Sequence, residues 1–180
     1  MKTGYVPPVA GPGRDLAFGG MFGAAALALP FFFHVLHLGH FFMPMYIPLM
    51  ALPFFVRPLT AALTGGIAPL LSALLTGMPP LFPPVAPVMA LEIAAMAGGL
   101  ALLRKRWPTV PVLVHLLLVL VPGRLLNTGL LYLASLWLDL PAAFIAGISF
   151  LSGWPGVILM LVVIPPIARV RTMMGERAHV

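Results

Sequence analysis

A chain of 180 residues that is 61% hydrophobic and only 8% charged does not have water as its main solvent. The formal net charge of +6 does not read as a nucleic-acid surface, because the basic residues sit beside hydrophobic spans and not among aromatics on an amphipathic face. The absence of cysteine excludes disulfides, thiolate metal sites and thiol nucleophiles, leaving His, Asp, Glu, Met and backbone to supply any chemistry.

The stretches 16–56, 58–91 and 140–168 contain no Lys, Arg, Asp or Glu, and each is long enough for at least one crossing, which takes about 20 apolar residues. Runs such as Met21–Phe33 and Val112–Val121 lack the alternation that a membrane β-barrel requires. Helices are the remaining way to satisfy the backbone in lipid. The expected fold is therefore an all-α integral membrane protein, a bundle of six transmembrane helices over 16–34, 44–57, 59–75, 85–103, 110–136 and 141–168. Residues 1–15 form an amino-terminal segment, 16–168 the bundle and 169–180 a basic tail.

The first helix contains Ala26-Leu27-Ala28, which mimics a signal cleavage site, but the apolar run continues beyond it and is expected to be retained as a span. Small residues recur four apart as Gly19, Gly23 and as Gly20, Ala24, Ala28. Such ladders let another helix approach closely, either within the bundle or from a docking membrane subunit.

His34, His37 and His40 follow, three apart, on one broad face of a continued helix. Imidazoles bind metals, stack on flat rings and exchange hydrogen bonds near neutral pH, so metal binding, contact with an organic ligand and plain interfacial histidines all stay open. A metal would want a fourth ligand, and Met43, Met45 and Asp139 have no fixed spacing to recommend them.

The second and third segments are short and broken by Pro and Gly, which a bundle tolerates where neighbouring helices cover the released backbone groups. Thr76-Gly77-Met78-Pro79-Pro80 with Pro83-Pro84 then makes a stiff loop, since Pro fixes φ and Gly permits positive φ. It is stiffer than a simple reversal needs.

Glu92 in the fourth span and Arg124 in the fifth are ionisable groups at bilayer depth, where each costs about 2.5–3.5 kcal/mol on insertion scales unless it faces the interior and finds a partner. Arg124 and Asn127 share a face at i and i+3, just after Pro122-Gly123. The arginine can clamp a ligand carboxylate or phosphate, or pair structurally with Glu92.

The connections alternate in charge. Segments 34–43, 76–84 and 137–141 hold no Lys or Arg, whereas Lys2, Arg14, Arg57, Arg104, Lys105, Arg106, Arg169, Arg171 and Arg177 make nine of the ten basic residues on the other side. Basic residues near helix ends stay in the cytoplasm, which puts both termini there. No Walker-type loop, HExxH, paired acidic motif or base-linked Ser nucleophile is present, so neither ATP hydrolysis nor an intramembrane enzyme is expected.

The order FFFHVLHLGHFFMPMYIPLM, APLLSALLTGMPPLFPP and APVMALEIAAMAGGL resembles the substrate-binding S components of energy-coupling-factor vitamin importers, over roughly residues 16–135. The resemblance implies a multi-pass protein of a bacterial or archaeal inner membrane that captures a vitamin or precursor near the outer face. It implies docking through Gly20, Ala24 and Ala28 to a transmembrane coupling subunit that works with two ATPase subunits. The pocket candidates are then His34, His37, His40, Thr76, Gly77, Met78, Glu92, Arg124 and Asn127, with no cofactor and no nucleic acid. Uptake of nickel or cobalt through the histidine segment is the alternative expectation.

Overall fold

The computed structural model describes residues 11–35, 44–139, 141 and 153–177, with side chains for all of these except 34, 35 and 171–177. The elements in chain order are α1 (Pro12–Val35), α2 (Tyr46–Ala51) continued by a 3₁₀ turn (Leu52–Phe54), α3 (Pro58–Thr76), α4 (Val85–Arg106), α5 (Val112–Trp137) and α6 (Trp154–Arg177). No strand occurs among the described residues. Helices α1, α3, α4 and α5 are each long and apolar enough to cross a bilayer, and α6 contributes a shorter apolar stretch, Trp154–Val170. The chain is thus an all-helical, multi-pass membrane protein.

Prolines set most of the boundaries. Pro53 lacks the N–H that would continue α2, so the chain tightens into the 3₁₀ turn, closed by the Phe55 amide donating to the Leu52 carbonyl at 2.8 Å. Arg57 is extended at φ −70° and ψ 157°, the conformation favoured before a proline, and Pro58 opens α3 at a position where a missing donor costs nothing. Helix α3 ends on Gly77, whose φ of 74° is left-handed and whose amide returns to the Ala73 carbonyl at 3.0 Å. The Met78-Pro79 and Phe82-Pro83 bonds in the loop that follows are cis.

The expected segment 44–57 is not a spanning helix. It is one and a half turns of α2 and the 3₁₀ turn, and it forms the centre of the core, with Tyr46, Leu49, Met50, Leu52 and Phe54 almost fully buried. Irregular backbone at membrane depth survives only when protein covers it, which α1, α4 and α6 do here. The last expected segment, 141–168, also shifts. Residues 142–152 lie outside the described residues, and α6 runs from Trp154 through Pro165 and Pro166 to Arg177, into the stretch read as a tail.

The tightest helix pair is α3 against α4. A Cβ on Gly65 would sit 3.0 Å from the Ile93 carbonyl oxygen, and one on Gly98 would sit 3.0 Å from the Ala62 Cβ, so these glycines permit the approach. Among the described residues, helix α1 packs along one edge. Gly19 and Gly23 face Thr60 and Thr64 of α3, and Phe18 and Phe22 lie against Phe55 with ring centroids 5.4 and 5.2 Å apart.

Among the described residues the basic ones other than Arg124 lie toward one end of the bundle. Asp15, buried in the first turn of α1, accepts from Arg57 Nε at 2.5 Å and from the Thr60 hydroxyl at 3.3 Å, joining the feet of α1 and α3. Arg104, near the end of α4, donates to the Pro53 carbonyl at 3.2 Å and lies 4.0 Å from the Phe54 ring centroid, closing the 3₁₀ turn from below. Lys105 and Arg106 are exposed beside it.

Candidate functional site

Glu92 lies seven residues into α4, about 10 Å along the axis from Val85, and Arg124 is near the middle of α5, about 18 Å from Val112. The helix pairing brings the two together in the interior. The Nε of Arg124 is 3.8 Å from Oε1 of Glu92, with both side chains buried. This is an ion pair longer than a hydrogen bond, and it realises the pairing expected from the cost of lone charges in lipid.

Two neutral donors complete the cluster. The Asn127 amide nitrogen donates to Glu92 Oε2 at 2.7 Å, from the face it shares with Arg124 one turn away. The Tyr46 hydroxyl, from the first turn of α2, donates to the same oxygen. The Tyr46 ring also lies beneath the guanidinium, 5.8 Å from its centroid to Arg124 Cζ. Gly153, the residue just before α6, packs so closely on Arg124 that a Cβ there would be 2.8 Å from the guanidinium carbon.

Sequence reasoning found three members of this cluster, Glu92, Arg124 and Asn127, and missed Tyr46 and Gly153. Tyr46 left a signal, since it is the one hydroxyl-bearing residue in the apolar run 41–56. Gly153 left none, because its role is to be absent from the space that Arg124 fills.

The loop candidates sit elsewhere. Thr76, Gly77 and Met78 are exposed at the end of the bundle from which α4 descends toward Glu92. Their hydrogen bonds close on one another: the Ser72 hydroxyl donates to the Met78 carbonyl at 2.7 Å, the Thr76 hydroxyl reaches the Ser72 carbonyl at 2.8 Å, and the Met78 amide donates to Thr76 Oγ1 at 3.2 Å. Through these bonds the loop holds itself, and it does not touch Glu92 among the described contacts.

His34 falls in the last turn of α1 with its side chain outside the description, and His37 and His40 lie outside the described residues. Among the described residues no three His, Asp or Glu side chains converge to hold a metal. The two small-residue ladders of α1 part company. Gly19 and Gly23 face α3, while Gly20, Ala24 and Ala28 point out of the bundle, with no atom within 4 Å of a Cβ built on Gly20.

An apolar groove of about 210 Å³ runs between α1, α2 and α6, walled by Phe22, Leu29, Ile47 and Ile167 among others, and none of the polar cluster lines it. Among the described residues the hydrogen bonds and the ion pair join Tyr46, Glu92, Arg124 and Asn127 into one buried polar cluster, while His115 is buried in the first turn of α5. Compared with protein-family models, with curated proteins and with solved structures, the chain matches none.

Proposed function

We propose that this chain is the solute-capturing subunit of a membrane importer of the energy-coupling-factor type, taking up a vitamin or vitamin precursor at the outer face of the inner membrane. The observation that carries the reading is the Tyr46–Glu92–Arg124–Asn127 cluster, a polar constellation held between helices at bilayer depth in an otherwise apolar protein. Ionisable groups in such a position are costly and mark ligand sites by default.

Three features support the subunit reading. The basic residues converge on one end of the bundle, which the positive-inside rule assigns to the cytoplasm together with both termini. The proline-stiffened loop 76–84 then caps the outer end, above Glu92. The outward-facing Gly20, Ala24 and Ala28 suit close approach by a transmembrane coupling subunit, with energy supplied by two separate ATPases. On this reading the protein is a transport subunit and not an enzyme.

The test is purification followed by mass spectrometry for co-purifying solute and a binding screen of vitamins and their precursors. Submicromolar binding abolished by Arg124→Leu is expected. A full screen with no binder sinks the reading, and binding of nickel or cobalt alone replaces it with metal uptake.

A further inference from the structure

The buried carboxylate is served unequally. Both neutral donors, the Tyr46 hydroxyl and the Asn127 amide, converge on Oε2 of Glu92. Among the described residues nothing donates a hydrogen bond to Oε1, although it is fully buried, and it faces Arg124 Nε at 3.8 Å, where charge attracts but no hydrogen bond forms.

Among the described residues few other groups face this carboxylate. Helix α2 presents Tyr46 and α5 presents Arg124 and Asn127, whereas α3 and the 3₁₀ turn carry no ionisable residue along their lengths. On α4 itself the other ionisable residues begin at Arg104, about 18 Å along the axis. Among the described residues the charges of the cluster are those of Glu92 and Arg124, which cancel.

We infer that the cluster takes a small organic monoanion together with one proton: the ligand carboxylate replaces Glu92 as counter-ion of Arg124, and the proton adds to Oε1 of Glu92. The inference rests on the capture reading above, because it assigns chemistry to the same residues. The charges balance. The empty site holds Glu92 negative and Arg124 positive, and the loaded site holds a negative ligand, a positive Arg124 and a neutral Glu92. Oε2 keeps its two donors throughout, while Oε1, the oxygen with no donor to lose, is the one that receives the proton.

Competing ligands fare worse on the same ledger. An anion arriving alone leaves one uncompensated negative charge at bilayer depth, which lipid penalises heavily. A neutral ligand leaves the Glu92–Arg124 pair in place and brings no pair of anionic oxygens to match the guanidinium's fork, so it gains less from that donor.

The experiment uses the purified full-length chain in nanodiscs, with benzoate as probe and benzamide as its uncharged counterpart. Calorimetry at pH 8 in two buffers of different ionisation enthalpy counts the protons exchanged, and one proton taken up per benzoate bound is expected. Benzoate affinity should fall about tenfold per pH unit on the alkaline side. Glu92→Gln, which keeps an acceptor for Tyr46 and Asn127, should bind benzoate with neither proton uptake nor slope. Benzoate binding without a proton, benzamide bound as tightly as benzoate, or no benzoate binding at millimolar concentration overturns the inference. The proton count needs only the wild-type chain, so it stands whether or not the variant folds. A chain that binds a neutral vitamin but not benzoate sinks the acid-and-proton assignment and leaves solute capture standing, whereas one that binds nothing sinks both.

Discussion

The guanidinium of Arg124 lies over the ring of Tyr46, 5.8 Å from its centroid, while the hydroxyl of that ring donates to Glu92, the arginine's ion-pair partner. One side chain from a short central helix thereby touches both members of a buried charge pair carried by two long ones. Tyr46→Phe keeps the ring under Arg124 and deletes the donor. A hydrogen bond to a charged group contributes about 1.5–3 kcal/mol, so a loss in that range is expected, read from unfolding in detergent or bicelles. An unchanged stability would show that Asn127 alone suffices as donor to Oε2.

Glu92→Leu leaves a buried guanidinium without its counter-charge and should cost about 3–5 kcal/mol. Combining it with Arg124→Leu should restore most of that loss, because an apolar pair suits the interior. The two outcomes separate structure from function: the double variant should fold and insert but bind no solute. Retained uptake in the double variant would demote the cluster to a structural pair.

The chain has no cysteine, which makes single-cysteine labelling in intact cells direct. Met78→Cys, in the exposed loop after α3, should react with an impermeant maleimide from outside, and Lys105→Cys only after permeabilisation. The reverse pattern would invert the topology and with it the direction of capture.

At the basic end, Asp15→Asn removes the charge that holds Arg57. Asp15 is 5% exposed at its side chain but Arg57 is 58% exposed, so water and salt screen the pair and a loss of only about 0.5–1 kcal/mol is expected. The diagnostic reading is the salt dependence. Raising ionic strength should narrow the difference between wild type and variant in thermal unfolding.

Gly153→Ala puts a methyl group where the Arg124 guanidinium lies. Since neither the helix start nor a buried arginine yields cheaply, about 1–3 kcal/mol of destabilisation is expected, with a larger loss of solute binding than of stability. Equal losses of both would place Gly153 in packing only.

Much of this arrangement is legible in the sequence, for specific reasons. Helices α3, α4 and α5 are found within a turn or so of their expected ranges because long apolar runs are bounded by Pro, Gly and basic residues that leave few alternatives. The Glu92–Arg124 pairing is legible because lipid makes a lone charge at that depth untenable. The segment around Tyr46 is not. Its hydropathy is that of a span, and only the packing of α1, α4 and α6 around it shows that two turns of broken helix, sheltered by neighbours, replace a crossing. Asp15 with Arg57 likewise escapes, since each charge at a helix foot reads as topology until the helices are placed side by side.

Helix α1 is fixed at its foot by Asp15 and by the Phe18 and Phe22 stack, yet Phe31 and Phe32 near its far end are largely exposed. A rod clamped at one end takes its lean from the medium around the other. Bilayer thickness should therefore set the tilt of α1 more than that of α4, thinner lipid laying it over and thicker lipid standing it up.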